Sequence, residues 1–359
     1  MIADGAYLVF GANGVIGRYN QYNHEEPQLL ITCRGATCGS VNISEPKSWV
    51  TGNAMVVRPK DSSIEMRFLE YLFRGGIDIS KAITGAAQPQ ITRTNLAPLK
   101  LSYPTSVEEQ QRIVGILDEA FDGIATAKAN AEQNLQNARA LFESHLQSVF
   151  TQRGEGWVRK QLKALTTKIG SGATPLGGEE AYKAEGISLI RSLNVHDLGF
   201  RYRKLAFIDD AQAERLSNVV VQKRDVLLNI TGASVARCCV VPDDVLPARV
   251  NQHVSIIRPS ADKLDAEFLH YLLISKPYKD QLLQTGEEGG STRQAITKAQ
   301  IQEFSIDYPD DVEEQRLIVS RLDALREETQ RLESIYQQKL AALDELKKSL
   351  LHQAFTGQL

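Results

Sequence analysis

From Val107 onward, apolar residues recur at intervals of three, four and seven positions. They are Leu117, Phe121, Ile124, Ala131, Leu135, Ala138, Phe142 and Val149, with Lys128 and His145 at two intervening positions of the stripe. This heptad spacing, which no proline interrupts, predicts one long helix with a coiled-coil seam. At 1.5 Å per residue the helix would be about 60 Å long, so it needs a partner helix to bury its stripe.

A second stripe begins at Val312 and comprises Leu322, Leu325, Leu332, Tyr336, Leu343, Leu346 and Leu350. Each stripe opens on a similar sequence, PTSVEEQQRIVGILD at 104–118 and PDDVEEQRLIVSRLD at 309–323, which is 205 residues later. Solenoid units run roughly 20–50 residues, so this distance indicates a duplicated domain-plus-helix unit. The simplest partner for each helix is the other one. An antiparallel pair would place the two globular units at opposite ends, and a parallel pair would place both at one end.

The residues before the first long helix alternate between short apolar runs and turn-forming residues. Runs at 7–10, 29–31 and 54–57 are rich in β-forming residues and bounded by glycine, asparagine or proline, which predicts strands. Apolar residues at helical spacing predict a brief helix over 64–73. A further strand is expected around 99–103. This mixture of strands and helices predicts an α+β fold.

The second globular unit, from Trp157 to Pro309, repeats the first unit in its later part. Residues 226–233 resemble 29–36, residues 257–259 resemble 57–59, residues 268–272 resemble 68–72, and residues 294–297 resemble 89–92. The front of the second unit, some 40–50 residues from Trp157 to about Leu205, has no evident counterpart. The first unit is therefore either a shorter variant or one that the chain enters partway.

These patterns divide the chain into four segments. They are a first globular domain with an incomplete N-terminal part at 1–106, a first helical spacer at 107–153, a second globular domain at 154–310, and a second helical spacer with a C-terminal tail at 311–359. The first spacer is acidic, whereas basic residues predominate over 157–206. This alternation leaves a polyanion open as a partner, although the net charge of −3 is not typical of nucleic-acid binders.

The composition is that of a globular protein, with 42% apolar and 24% charged residues among 359. No run of about 18 apolar residues is present, so no membrane span is predicted. The N-terminus lacks a basic segment followed by an apolar one, which argues against a secretory signal. Together with four cysteines that form no secreted disulfide pattern, this predicts a cytoplasmic protein.

Two motifs have alternative interpretations. Gly11, Gly14 and Gly17 follow a predicted strand with a spacing that resembles a dinucleotide loop, but no helix pattern follows them, which favours a tight strand-to-strand turn. Cys33 and Cys38 together with Cys238 and Cys239 could supply a zinc site. Their spacing is not that of a zinc knuckle, so buried free thiols in two repeated cores are favoured, and no metal site is predicted.

Polar loops are the remaining surfaces with candidate chemistry. Arg, Asn, Gln, Ser and Thr side chains contact base edges and phosphates, and they equally cap turns and satisfy loop backbone. Both interpretations stay open for each residue. The candidate DNA-binding residues are Arg34, Asn53, Gln90, Ser171, Thr174, Arg191, Asn194, Arg201, Tyr202, Asn229, Thr231, Asn251, Gln252, Arg293 and Gln294. The sequence contains no nucleophile–base pair and no methylase, helicase or nuclease motif, so no catalytic residue is predicted.

Several of these features together resemble the specificity (S) subunit of type I restriction–modification systems. They are Trp157 with its basic lead-in, residues 170–175 (GSGATP), 232–234, Asn251-Gln252, 295–297, the repeated stretch at 309–323 and the terminal residues 350–359. The resemblance covers essentially the whole chain. Its most specific parts are Glu-x-Gln-x-x-Ile-Val-x-x-Leu-Asp and the terminal Ala-Phe-x-Gly-x-Leu.

The resemblance implies two mixed α/β target recognition domains separated by two long antiparallel helices that form a coiled coil. Each domain would read one half of a bipartite sequence in double-stranded DNA, and the helices would be the spacer and docking site for two methyltransferase subunits. S-adenosylmethionine would be held by those subunits. Restriction subunits with translocase and nuclease activity would use ATP and Mg. No cofactor is expected on this chain.

We therefore expect a non-catalytic DNA-recognition subunit whose lysines and arginines contact phosphates while its loops contact bases. The alternative is a remnant whose coiled coil binds protein but whose domains no longer bind DNA. The basic front of the second unit favours DNA binding, and the incomplete first unit favours the remnant. A small-molecule oxidoreductase rests on the glycine motif alone.

Overall fold

A computed structural model describes residues 4–85, 87–154, 156–175, 177–287 and 295–359. The strands before the first long helix are β1 (Tyr7–Gly11), β2 (Gly14–Tyr19), β3 (Leu29–Thr32), β4 (Val41–Ile43), β5 (Trp49–Val50) and β6 (Ala54–Val57). Those after it are β7 (Trp157–Gln161), β8 (Thr166–Ser171), β9 (Ile187–Ile190), β10 (Val195–His196), β11 (Gly199–Phe200), β12 (Ala206–Ile208), β13 (Val220–Val221), β14 (Val226–Asn229), β15 (Cys238–Val240), β16 (Ala248–Val250), β17 (Val254–Pro259) and β18 (Ser305–Pro309).

The α-helices include two long ones, which are α3 and α9. In chain order they are α1 (Met66–Tyr71), α2 (Arg93–Leu96), α3 (Val107–Thr151), α4 (Leu162–Leu165), α5 (Asp210–Glu214), α6 (Ala266–Ile274), α7 (Lys276–Glu287), α8 (Lys298–Glu303) and α9 (Val312–Phe355). A π-helical turn follows α1 at Leu72–Gly76, and short 3-10 helices lie at Ile79–Ala82, Gly178–Ala181, Ser192–Asn194, Ser217–Val219, Gly232–Ser234 and Asp243–Val245. Both predicted long helices are thus confirmed.

The chain forms two compact units. Unit 1 consists of Met1–Asn134 and Ile335–Leu359, and unit 2 consists of Leu135–Ser334. Each unit therefore contains the first part of one long helix and the last part of the other, together with its own sheets. This division follows from the cores, because residues of both α3 and α9 pack into the core of each unit.

The long helices run antiparallel. In unit 1, Arg112 near the start of α3 donates to the carbonyl of Leu359 beyond the end of α9, at 3.0 Å. Further along α3, the Lys128 amino group lies 2.7 Å from a carboxylate oxygen of Asp344. Since the partner number falls as the α3 number rises, the antiparallel alternative is confirmed.

Most of the predicted stripe on α3 is buried, including Leu117, Ile124, Ala131 and Ala138. On α9 the prediction is wrong at Leu346, which is 46% exposed, and Leu351 is buried instead. A straight helix drifts relative to a strict seven-residue repeat, so a register extrapolated over several turns shifts to a neighbouring position. Among the described residues, no helix is both long and apolar enough to cross a membrane.

The two units contain related sheets. In unit 2, the order β15-β14-β17-β8 forms one four-stranded sheet and β12-β9-β16-β13 forms another. In unit 1, the corresponding orders are β4-β3-β6 and β2-β1-β5. Strand β1 pairs parallel with β5 and antiparallel with β2, as β9 pairs with β16 and β12. Because β9 has this counterpart, the unmatched front of unit 2 ends before Ile187 and is shorter than the predicted 40–50 residues.

The strand predicted around residues 99–103 is wrong, because this segment forms no strand. Its counterpart in unit 2 is β18, which pairs antiparallel with β7 over its whole length. The described part of unit 1 contains no counterpart of β7. A strand requires a partner for its backbone hydrogen bonds, so the same kind of sequence stays irregular where that partner is missing.

The glycine motif at 11–17 forms a strand-to-strand turn, as predicted. Strands β1 and β2 pair antiparallel, with Gly11 opposite Gly14 and only two residues between them. Gly14 has a φ of +85°, a left-handed conformation that glycine adopts without steric cost. No helix follows the glycines, so the arrangement is a β-hairpin and lacks the strand-to-helix geometry of a dinucleotide loop.

The expectation of buried free thiols is confirmed for Cys33, Cys238 and Cys239, and Cys38 is half-buried. Adjacent residues of a strand point to opposite faces, so Cys238 packs into one core of unit 2 and Cys239 into the other. Burial raises the pKa of the Cys239 thiol to about 12. Among the described residues, no group of three His, Cys, Asp or Glu side chains is placed to hold a metal ion.

A fully buried glutamine ties the start of α9 to the globular part of unit 2. The Gln315 side chain accepts a hydrogen bond from the Asp265 backbone N–H at 2.8 Å. Its amide nitrogen donates to the carbonyls of Lys263 and Pro309, both at 2.9 Å. One side chain thus satisfies three backbone groups in the loop before α6 and at the end of β18.

The same arrangement occurs in unit 1. The Gln110 side chain accepts from the Glu65 N–H and donates to the carbonyls of Ser63 and Pro104, all at 2.8 Å. Gln110 and Gln315 are the glutamines of the repeated Glu-Glu-Gln sequence, and both are completely buried. The repeat therefore encodes a repeated junction between a domain and the helix that follows it.

Replacing Gln315 with alanine is expected to destabilise unit 2, because it leaves one N–H and two carbonyls without partners. Each unsatisfied buried group costs on the order of 1–3 kcal/mol. Amide hydrogen exchange should accelerate around Asp265 and at the start of α9. Gln330→Ala is the matched control, since Gln330 is exposed on the same helix. Equal protection in both variants would contradict a stabilising role for this junction.

Candidate nucleic-acid interface

Four polar side chains of unit 2 form a connected chain, which we call the loop cluster: Thr174, Thr231, Gln252 and His253. The Thr174 hydroxyl donates to the Gln252 side-chain oxygen. The Gln252 Nε2 lies 3.1 Å from Nε2 of His253, and Nδ1 of His253 lies 2.5 Å from Oγ1 of Thr231. Gln252 is exposed, whereas the other three side chains are partly buried. The structure thus brings together three predicted residues and adds His253.

Sheet topology explains why these residues meet. Strand β17 pairs antiparallel with both β14 and β8. The start of β17 therefore lies at the same edge of the sheet as the ends of β14 and β8. Gln252 and His253 directly precede β17, while Thr231 and Thr174 lie just after β14 and β8. Residues far apart in sequence are consequently neighbours at this edge.

Gly172 permits the close approach of the two loops. Its N–H donates to the Asn251 carbonyl at 3.1 Å, and a Cβ added at this position would lie 1.8 Å from the Val250 carbonyl oxygen. The buried Asn251 side chain accepts from the His253 N–H at 3.0 Å. Asn251 therefore shapes the turn that presents Gln252. Contact between Asn251 and DNA stays a prediction.

Two further predicted asparagines are completely buried and hold loops together. The Asn194 side chain donates to the Arg201 carbonyl at 2.8 Å. The Asn229 side chain donates to the Ser192 carbonyl at 2.9 Å, while its oxygen is buried without a partner among the described atoms. Such amides fix loop geometry. Contact between these two asparagines and DNA stays a prediction.

The charge of Arg191 is engaged inside unit 2. Its guanidinium lies 2.7 Å from Glu179 and donates to the Lys204 carbonyl at 2.7 Å. It also lies 5.0 Å from the centre of the Tyr182 ring, and the side chain is only 12% exposed. Arg191 therefore connects its own segment to residues 179–182 and to Lys204, and DNA binding by this residue stays a prediction.

Arg201 and Tyr202 occupy a more open position. Both are exposed, and the Tyr202 hydroxyl donates to Asp244 at 3.0 Å. Partial burial and this hydrogen bond raise the pKa of the Tyr202 hydroxyl. The Tyr202 ring packs edge-on against Phe200, with ring centres 5.2 Å apart. An exposed guanidinium beside a supported aromatic ring is suited to phosphate or base contact.

The predicted residues of unit 1 are all exposed and adjoin one another through the backbone. Arg34 and Gln90 form an isolated antiparallel bridge. The N–H of Cys33 donates to the Asn53 carbonyl at 3.0 Å. Arg34, Asn53 and Gln90 thus lie at the sheet edge formed by the end of β3 and the start of β6.

Unit 2 repeats this backbone pattern. Thr231 forms an antiparallel bridge with Ala295, and the N–H of Ile230 donates to the His253 carbonyl at 3.0 Å. These bonds match Arg34 with Thr231 and Asn53 with His253. The two units therefore present different side chains on equivalent loops.

Unit 2 also contains a basic cleft, which is lined in part by β8. It has a volume of about 510 Å³, and its lining includes Lys163, Lys168, Lys298 and Ser171. The Lys168 amino group donates to the Asn218 carbonyl at 2.6 Å. None of the described residues that line this cleft is acidic. A phosphate group is the ligand that such a lining favours.

Sequence reasoning missed these three lysines and His253. The lysines come from α4, β8 and α8, and only the general basicity of residues 157–206 pointed to two of them. His253 was recognisable only as the neighbour of Asn251-Gln252. Arg293 and Gln294, also predicted to bind DNA, lie outside the described residues.

Comparison with known proteins identifies the family. A family model for the type I restriction modification DNA specificity domain matches residues 3–137 and 154–341. The chain belongs to this family. The resemblance predicted from the repeated stretch and the terminal motif is thereby confirmed.

Curated specificity subunits are among the relatives. The subunit of the Escherichia coli enzyme EcoprrI is 31% identical over 121 residues, which are 34% of this chain and 29% of that protein. The subunit of the E. coli enzyme EcoBI is 29% identical over 178 residues, 49% of this chain and 36% of that protein. The MjaVIII subunit of Methanocaldococcus jannaschii is 20% identical over 349 residues, 93% of this chain and 79% of that protein. The matches to the two E. coli proteins thus span only about a third of their length.

Solved structures show the same fold. One, from a study of complex assembly and conformational transition in a type I R-M system, has a TM-score of 0.73 at 22% identity and covers 94% of this chain and 83% of its own. The HsdS subunit from Thermoanaerobacter tengcongensis has a TM-score of 0.64 at 22% identity, covering 94% and 82%. These matches confirm the predicted fold class of mixed α/β domains with long helices.

Replacing Gly172 with alanine is expected to separate the loop after β8 from the loop before β17, because the new Cβ would overlap the Val250 carbonyl. The rate of amide hydrogen exchange should increase at residue 172 and around residues 251–253. Gly170→Ala is the control, since Gly170 lies two residues earlier, on β8, and nothing lies within 4 Å of a Cβ added there. Unchanged protection in Gly172→Ala would show that the approach is not sterically constrained.

Proposed function

We propose that this specificity-family chain is the non-catalytic DNA-recognition subunit of a type I restriction–modification complex, in which each unit reads one half of a bipartite sequence. The observation that carries the proposal is the repetition of one sheet edge in both units, with matching backbone bonds but different side chains. Two equivalent frames with different polar residues are what the reading of two different half-sites requires.

In unit 2 the two kinds of DNA contact would lie side by side. The lysines of the basic cleft would position the duplex through its phosphates, and the loop cluster would contact base edges. Ser171, which lines the cleft, is the last residue of β8, and Thr174 of the loop cluster follows three residues later. The loops of unit 1, with Arg34 and Gln90 exposed, would read the other half.

The long helices would dock two methyltransferase subunits, and restriction subunits with translocase activity would join that complex. Exposed apolar side chains support a protein partner: Leu141, Leu317, Ile335 and Leu346 are each 43–51% exposed on α3 or α9. Under this proposal S-adenosylmethionine belongs to the methyltransferases, and ATP with Mg belongs to the restriction subunits. This chain would hold no cofactor.

A second candidate is a coiled-coil adaptor without specific DNA binding. The described part of unit 1 favours this candidate, because it has no counterpart of β7, α4 or β8. It therefore lacks residues equivalent to Lys163 and Lys168. An adaptor would still assemble with partner subunits but would not enrich any DNA sequence.

Mixing the chain with its cognate methyltransferase should give a complex with two methyltransferases per chain, measurable by native mass spectrometry. Methylome sequencing of cells that contain this complex should then show adenine methylation at a split motif. Assembly without a motif would favour the adaptor. A chain that does not assemble would contradict both candidates.

Replacing Lys163, Lys168 and Lys298 together with glutamine should weaken DNA binding without changing the preferred sequence. Each lost phosphate contact makes the plot of log K against log[salt] shallower by about 0.9. The expected change for the triple variant is therefore about one to three. Binding of a duplex that carries the methylated motif, measured between 50 and 200 mM salt, tests this.

Lys276→Gln is the control for that experiment, because the Lys276 amino group is already paired with Asp280 at 2.8 Å. Its salt slope should equal that of the unmodified complex. If the triple variant also keeps the original slope, the cleft does not contact phosphates.

A further inference from the structure

The loop cluster fixes the side-chain amide of Gln252 from two sides. Thr174 donates to its oxygen, and its nitrogen lies 3.1 Å from Nε2 of His253. An exposed glutamine on a loop would ordinarily sample many orientations and lose rotamer freedom on binding. Here two neighbours hold the amide before any ligand arrives, which is the preorganisation that a recognition side chain needs.

The bonding pattern also determines the tautomer of His253. The side-chain nitrogen of Gln252 can only donate hydrogen bonds, so Nε2 of His253 must be the acceptor. In a neutral imidazole the other nitrogen then carries the proton, so Nδ1–H donates to the Thr231 hydroxyl oxygen. His253 is therefore a positioning residue: it accepts a hydrogen bond from the Gln252 amide and is itself held by donating to Thr231.

The donors and acceptors that remain on Gln252 can be counted. A side-chain amide has two N–H groups and two oxygen lone pairs. His253 uses one N–H and Thr174 uses one lone pair, which leaves one donor and one acceptor. In the major groove, adenine presents an acceptor at N7 beside a donor at N6, and glutamine pairs with both.

We propose that Gln252 reads an adenine in the half-site bound by unit 2, oriented by Thr174 and His253. This inference rests on the proposed function and adds the base and the side chain that recognises it. The other predicted amides of described unit 2 are less suited, because Asn194, Asn229 and Asn251 are buried in loop-holding bonds.

Unit 1 provides an internal comparison. The backbone bonds that match His253 with Asn53 place Gly52 at the position of Gln252. Glycine has no side chain with which to read a base. At this one position the frame thus carries an amide in unit 2 and none in unit 1, so the contact proposed for Gln252 has no equivalent at Gly52.

The test is selection of bound sequences from a random duplex library with the assembled methyltransferase complex. The unmodified complex should enrich a split motif with adenine at one position of the unit 2 half-site. Gln252→Ala should lose the preference at that position by about five- to 150-fold. Gln252→Glu should shift it to cytosine, because a carboxylate accepts from the cytosine amino group.

His253 provides a second arm. His253→Phe removes the acceptor and should relax the same position alone, whereas His253→Asn keeps an acceptor and should retain the adenine. Gln284→Glu is the charge control, since Gln284 is exposed on α7 of the same unit. The complex with Gln284→Glu should enrich the same motif as the unmodified complex.

A third arm needs no variant. Replacing that adenine with 7-deaza-adenine, which lacks the N7 acceptor, should weaken binding by the unmodified complex. Full retention of binding would overturn the inference, as would a motif that Gln252→Glu leaves unchanged or alters at several positions. If the unmodified complex enriches no sequence at all, the proposed function itself fails.

Discussion

The fold depends on a buried glutamine at the start of each long helix. Gln110 and Gln315 each satisfy three backbone groups of the domain that precedes the helix. A buried side chain that makes three hydrogen bonds to backbone tolerates little change in the angle between the two elements, because each misaligned bond leaves an unpaired polar group. Each of the two glutamines thus fixes the connection between a domain and the long helix that follows it.

The opposite ends of the helices use apolar contacts for the same purpose. In unit 1, Phe355 at the end of α9 packs edge-on against Phe68 with ring centres 5.4 Å apart. In unit 2, Phe150 near the end of α3 packs against Phe268 at 5.5 Å. Each unit therefore contains the start of one long helix, which a buried glutamine holds, and the end of the other, which an aromatic contact holds. This arrangement requires the antiparallel order that the ion pairs show.

The two long helices and the main strands could be predicted because they follow from the periodicity of nearby residues, and the repeat could be predicted because its two copies are similar in sequence. It failed where a distant partner decides the outcome. Residues 99–103 have a strand-like composition, but the described part of unit 1 contains no counterpart of β7 to pair with them. Leu346 fits a heptad, but the phase of α9 near its end is set by the core that buries Leu351 and Ala354.

The candidate site shows the same limit more sharply. Asn251 and Gln252 are adjacent and chemically alike, yet one is buried beneath the turn and the other is exposed above it. The sequence predicts DNA binding for both residues, because it does not show which backbone groups require a hydrogen-bond partner. The lysines of the basic cleft come from three separate elements, so no spacing rule could assemble them.

The loop amides of unit 2 therefore divide into those that hold the loops together and those that the loops expose. Asn194, Asn229 and Asn251 are buried and each makes a side-chain hydrogen bond to loop backbone, so replacing them would alter loop shape before it altered any direct contact. Gln252 keeps one donor and one acceptor unused. If the proposed function holds, a change of sequence preference with retained stability is expected at the exposed residues alone, because the buried asparagines hold the loops in place.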